Sequence, residues 1–166
     1  MTVQQRIQKF LQDHPTGTLQ VAVAYATPWG FDWLNQHTQG RRTNLLIGNI
    51  PENSYDELSD RERQNALAFL NRSEVTISNW KRSDDGKTRI SAWLVINKGS
   101  YNLLIGSANL NGYALKRDDE LMVEVAKTDI RASVREMRSL YEKAKDCRRT
   151  LIERIQVDGS NFSNWG

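Results

Sequence analysis

The chain has 166 residues, of which 39% are hydrophobic and 26% charged, so it is long and apolar enough for one domain with a real core. The same balance excludes a disordered polyelectrolyte. A net charge of +3 is a mild basic bias, which suits a polyanionic partner without requiring one. The single cysteine, Cys147, excludes an internal disulfide and a cysteine-based zinc site, and fits a reducing compartment. Residues 1–12 are polar and amphipathic with no apolar signal core, and no stretch approaches a membrane span. The expected setting is the cytoplasm, away from membranes.

In chain order, residues 2–13 predict a helix, with Val3, Ile7, Phe10 and Leu11 on one face and His14-Pro15-Thr16-Gly17 closing it. Residues 19–26 read as a buried strand. Thr27 and Pro28 suit the cap and first turn of a helix that carries Phe31, Trp33 and Leu34, with His37 near its end and Gly40 as the stop. His14 and His37 read as loop, surface or cap residues. A second strand over 44–49 follows Arg41-Arg42-Thr43, and the strand–helix–strand order predicts a parallel pair. Residues 49–60 form a polar loop or loose turn, 60–71 a helix, and 74–80 a third strand. Residues 81–87 are a charged turn. A fourth strand over 89–96, a turn at Asn97-Lys98-Gly99-Ser100 and a fifth strand over 101–105 predict an antiparallel hairpin.

Residues 110–116 read as a loop or short helix, and 119–126 as a sixth strand. A single long helix is expected over 128–157, on the seam Ile130, Val134, Met137, Tyr141, Ala144, Leu151 and Ile155. Its outer faces carry Arg131, Arg135, Arg138, Lys143, Lys145, Arg148, Arg149 and Arg154 against fewer acids, which makes it a candidate polyanion surface as well as an ordinary solvated face. Residues 1–157 are expected to form the domain. Residues 158–166 are expected to be a tail, mobile or docked through Trp165.

The stretch with the most chemical content is Leu103-Leu104-Ile105-Gly106-Ser107-Ala108-Asn109-Leu110, with Asp119-Glu120-Leu121 downstream. An apolar strand runs into a turn that offers a hydroxyl at Ser107 and an amide at Asn109, while Gly106 allows a bound group to approach the backbone. Gly-Ser and Asn also make plain turns. The adjacent acids Asp118, Asp119 and Glu120, placed on a strand, point to different faces and do not form a metal site. No motif calls for a cofactor.

With Trp93-Leu94-Val95 upstream, this pattern resembles the core of the phospholipase D superfamily, whose members read His-x-Lys, a hairpin turn, Gly-Ser-x-Asn, and a later Asn or Asp followed by Glu. The strand at Val21–Tyr25, the Trp-containing helix and Leu45-Leu46-Ile47-Gly48 suit that family's opening. The resemblance implies an α/β fold: a phospholipase D-like half domain, a mixed β-sheet flanked by helices, with a long C-terminal helix. It is closest to the single-motif type, in which two chains pair, and so implies a homodimer.

The His-x-Lys pair is missing. Aligning Trp93-Leu94 with the apolar pair after the family's lysine puts the two positions on Arg89 and Ser91; counting back from Gly106 puts them on Ala92 and Leu94. Neither register supplies the imidazole that covalent catalysis needs, and a guanidinium that stays protonated cannot replace it. The expectation is a degenerate pocket with the remnants Arg89, Ser91, Ser107, Asn109 and Glu120, in a non-catalytic module that binds DNA or RNA through its phosphates. Arg41, Arg42, Lys81, Arg82, Arg89 and Lys116 are the candidate nucleic-acid-binding cations. Two alternatives stay open. One is an active phosphodiesterase or nuclease with a non-standard site. The other is a structural subunit, in a larger protein complex, that uses the old catalytic face as an interface.

Overall fold

The computed structural model describes residues 1–49, 58–80 and 91–165, with side chains as far as residue 156. Helix α1 (Val3–Asp13) opens on a capping box, in which Thr2 and Gln5 satisfy each other's backbone N–H groups, and it buries Val3, Ile7, Phe10 and Leu11. Strand β1 (Thr18–Val23) is followed by α2 (Pro28–His37), with proline in the first turn, and by β2 (Thr43–Ile47), which lies parallel to β1. Helix α3 (Asp60–Leu70), capped by Ser59, leads to β3 (Val75–Asn79), parallel to β2.

Strand β4 (Ser91–Asn97) returns antiparallel to β1, on the side away from β2. A tight turn at Lys98 (φ 50°) and Gly99 (φ 80°) joins it to β5 (Ser100–Gly106); positive φ at both central residues matches the right-handed twist of a hairpin. The short helix α4 (Gly112–Leu115) and β6 (Met122–Glu124) follow, and β6 pairs with β5. Strand β6 is much shorter than the expected 119–126. Asp119 and Glu120 are drawn into side-chain bonds with Arg117 and Ser107 and stay out of the ladder.

The single helix expected over 128–157 is two helices. Helix α5 (Ile130–Glu142) is followed by β7 (Lys145–Asp146), which pairs antiparallel with β3, and then by α6 (Arg148–Trp165). The reason lies in the sheet. Ile130, Val134 and Met137 of α5 pack on one face, with Ala22, Leu46, Leu94 and Leu103. Leu151 and Ile155 of α6 pack on the other, with Phe69, Val75 and Ile77. A straight helix cannot cover both faces, so the chain turns around the β3 edge. Cys147 N–H donates to the Ile77 carbonyl at 3.0 Å, and the Asp146 carboxylate accepts from Arg148 N–H at 2.9 Å, capping α6. The backbone of α6 continues through Trp165, so residues 158–165 of the expected tail are helical.

The mixed seven-stranded sheet runs β6-β5-β4-β1-β2-β3-β7. Alternation within each strand sorts the core: Leu19, Val21 and Val23 of β1 face α1, α2, α3 and α6, while Ala22 faces α5. Among the described residues, no helix is long and apolar enough to cross a membrane.

Candidate functional site

The carboxyl ends of β1 and β5 lie at the same end of the sheet, because β4 runs antiparallel to both. There Gly106 sits opposite Ser91 on one side and Met122 on the other. A methyl group at Gly106 would run into the Leu121 carbonyl and the Met122 sulfur. The room that glycine leaves is therefore filled by the chain's own β6, not held open for a bound group.

Ser107 closes on the same segment. Its N–H donates to the Leu121 carbonyl at 3.0 Å, and its hydroxyl accepts from Leu121 N–H at 3.2 Å. The hydroxyl proton goes to the Glu120 carboxylate in a short hydrogen bond. A serine hydroxyl has one proton to donate. An anion at Ser107 would have to displace a carboxylate that also repels it. Asp119 beside it is held by Arg117, whose hydrogen bond keeps the Asp119 carboxyl below its ordinary value. Glu120 and Asp119 are in a loop, not on a strand as expected from the sequence.

Past Ser107 the chain runs along the end of β1. Leu110 N–H donates to the Tyr25 carbonyl, and Thr27 N–H donates to the Leu110 carbonyl, both at 3.0 Å. Gly30 of α2 lies so close to the Leu110 carbonyl that a methyl group there would collide with it. Asn109, beside this backbone pairing, is partly buried, and its amide has no hydrogen-bond partner among the described residues. Ser91 is buried on β4 opposite Gly106 and Val23, and its hydroxyl likewise lacks a partner. Ser91, Ser107, Asn109 and Glu120 thus gather at this end of the sheet, while Arg89 lies outside the described residues.

Neither histidine joins them. His14, beyond the end of α1, is 3.0 Å from the Glu124 carboxylate and packs edge-on against Phe10. His37 donates from Nδ1 to the Trp33 carbonyl at 2.8 Å, accepts at Nε2 from the Gln8 amide at 2.8 Å, and stacks on Trp33.

The candidate cations are scattered. Arg41 is spent on structure: its guanidinium donates to the His14, Thr16 and Gly17 carbonyls, and partial burial holds it below its ordinary value. Arg42 is exposed beside it, at the amino end of β2, the far end of the sheet from Ser107. Lys116 is exposed, 5.2 Å above the Trp29 ring. Lys81 and Arg82 lie outside the described residues. The Ser107–Glu120 bond leaves little trace in the sequence: an acid thirteen residues after a serine specifies no contact until the intervening loop is folded.

No protein-family model matches the chain, and no curated protein matches it in sequence. Among solved structures, NucT from Helicobacter pylori aligns with a TM-score of 0.53 at 11% identity, over 85% of this chain and 93% of NucT. The chain shares the α/β fold of NucT, a mixed sheet flanked by helices, which is consistent with the phospholipase D-like fold expected from the sequence. At that identity the likeness speaks for the fold alone, and it covers the mixed sheet with its flanking helices.

Proposed function

We propose that the chain is a non-catalytic phospholipase D-like module that holds DNA or RNA by its phosphate backbone and acts as a homodimer. One observation carries the non-catalytic part: at the position where the fold would do its chemistry, the Ser107 hydroxyl is paired with Glu120 and no imidazole stands near it. Covalent phosphoryl transfer needs a nucleophile. His14 and His37 are engaged with Glu124, Gln8 and Trp33 instead. The mild basic excess and the exposed Lys116 over Trp29 support the nucleic-acid part. Assay of freshly purified protein on a phosphodiester substrate, with and without chelator, tests the first part. Turnover that follows the protein through purification would contradict it.

The homodimer is supported by the edge beside Ser107. Strand β6 ends the sheet and leaves Leu121 and Val123 63% and 47% exposed, next to Ile105 at 38%. These residues line a groove of about 590 Å³ between β5–β6 and Met137 and Leu140 of α5. Exposed apolar surface on an open edge strand favours association. The same groove favours a second reading, in which this face binds a different protein. Light scattering separates the two: a mass of twice the chain supports the homodimer, and a monomer supports the heterologous interface.

A further inference from the structure

Helix α5 carries a feature that the pocket and the apolar groove do not use. Arg131, Arg135 and Arg138 fall at i, i+4 and i+7, so they share one helix face. With Tyr101 and Val134 they line a cavity of about 370 Å³. The Arg138 guanidinium donates to the Tyr101 hydroxyl at 3.0 Å and lies 5.9 Å above its ring. Lys127 Nζ donates to the Tyr101 carbonyl at 2.5 Å, adding a fourth cation. Tyr101 is opposite Ile96 near the start of β5, so the group sits at the end of the sheet away from Ser107.

The three arginines outnumber the one acid on their helix face, Glu142, four residues after Arg138. Elsewhere Arg63, Arg72, Arg117 and Arg149 each pair with a carboxylate, at Asp60, Glu74, Asp119 and Glu153. Among the described residues, Arg131, Arg135 and Arg138 make no ion pair. Glu136 faces the other side of α5, in the apolar groove.

We infer that Arg131, Arg135 and Arg138, with Lys127 and Tyr101, form a phosphate-backbone track for nucleic acid, remote from the old pocket. This deepens the nucleic-acid reading above and rests on it. The helical rise spaces Arg131 and Arg138 ~10 Å apart along the axis, which fits a row of phosphates better than one phosphate. Each guanidinium presents a planar fork suited to phosphate oxygens. A lipid surface fits less well, because Ile130, Val134 and Met137 are buried against the sheet and leave α5 no apolar face to insert.

The test uses the full chain and a fluorescently labelled single-stranded oligonucleotide, read by anisotropy across a salt series. The R131E/R135E variant is expected to bind at least ~10-fold more weakly, with the salt slope reduced by roughly two. R131K/R135K should keep most of the binding. Unchanged melting of R131E/R135E checks that it folds. Wild-type binding that survives R131E/R135E would overturn the track and leave the module reading standing; wild-type protein that binds neither DNA nor RNA at low salt would overturn both. Loss of binding to phosphatidylserine vesicles in R131E/R135E, with oligonucleotide binding unchanged, would reassign the stripe to a lipid surface.

Discussion

The Ser107 hydroxyl donates its proton to the Glu120 carboxylate, while the same oxygen accepts from Leu121 N–H. Ser107 is thus a strut between β5 and the loop before β6. Glu120→Ala should cost about 1 kcal/mol in chemical denaturation, the usual worth of a hydrogen bond of this kind. It should free the hydroxyl and yet produce no phosphodiester cleavage. Cleavage by E120A would show that the carboxylate had been masking a working site.

Gly106 is needed for the approach of β6. Gly106→Ala puts a methyl group against the Leu121 carbonyl and the Met122 sulfur. The expected loss is about 2 kcal/mol, typical of overpacking, together with faster hydrogen exchange at Leu121 and Val123. Wild-type stability in G106A would mean that this edge gives way freely.

Arg117 sets the acid response of the loop between α4 and β6. Its hydrogen bond holds the folded Asp119 carboxyl below the ordinary 3.8. The pair therefore contributes above that value and is lost as pH falls through the lower folded value. Carboxyl NMR titration should place the Asp119 midpoint below 3.8, and Arg117→Gln should raise it. An unmoved midpoint in R117Q would refute the assignment.

Cys147 is buried under the turn from β7 to α6, and burial pushes its thiol up to about 12. Native protein should react slowly with alkylating reagents at about pH 8, since the thiolate is the reactive form. The sign of the linkage is destabilising at high pH: above 9.0 the unfolded thiol ionises while the folded one keeps its proton, so stability falls as pH rises. Rapid labelling of the native protein would show that the turn opens easily.

The strands β1 to β5 were legible because their apolar alternation is bounded by strong punctuation: Thr27-Pro28, Gly40 and the Lys98-Gly99 turn. The break between α5 and α6 was not. The apolar seam continues through Tyr141, Ala144 and Leu151 with no glycine or proline, and only the need to cover two faces of one sheet divides it. At the site, Gly106, Ser107 and Asn109 could be picked out, but not what satisfies them. Arg41 looked like a free loop cation, and its clamp on the His14, Thr16 and Gly17 carbonyls joins segments some twenty-five residues apart. Such long-range bonds leave no periodicity to read.

Binding without cutting is the central claim, and one measurement addresses it most directly: anisotropy of labelled DNA and RNA at low and high salt, with the strand recovered afterwards on a denaturing gel. The account predicts binding that fades as salt rises and a strand recovered intact, with or without chelator. A shortened strand, or no binding to either polymer at low salt, would contradict it.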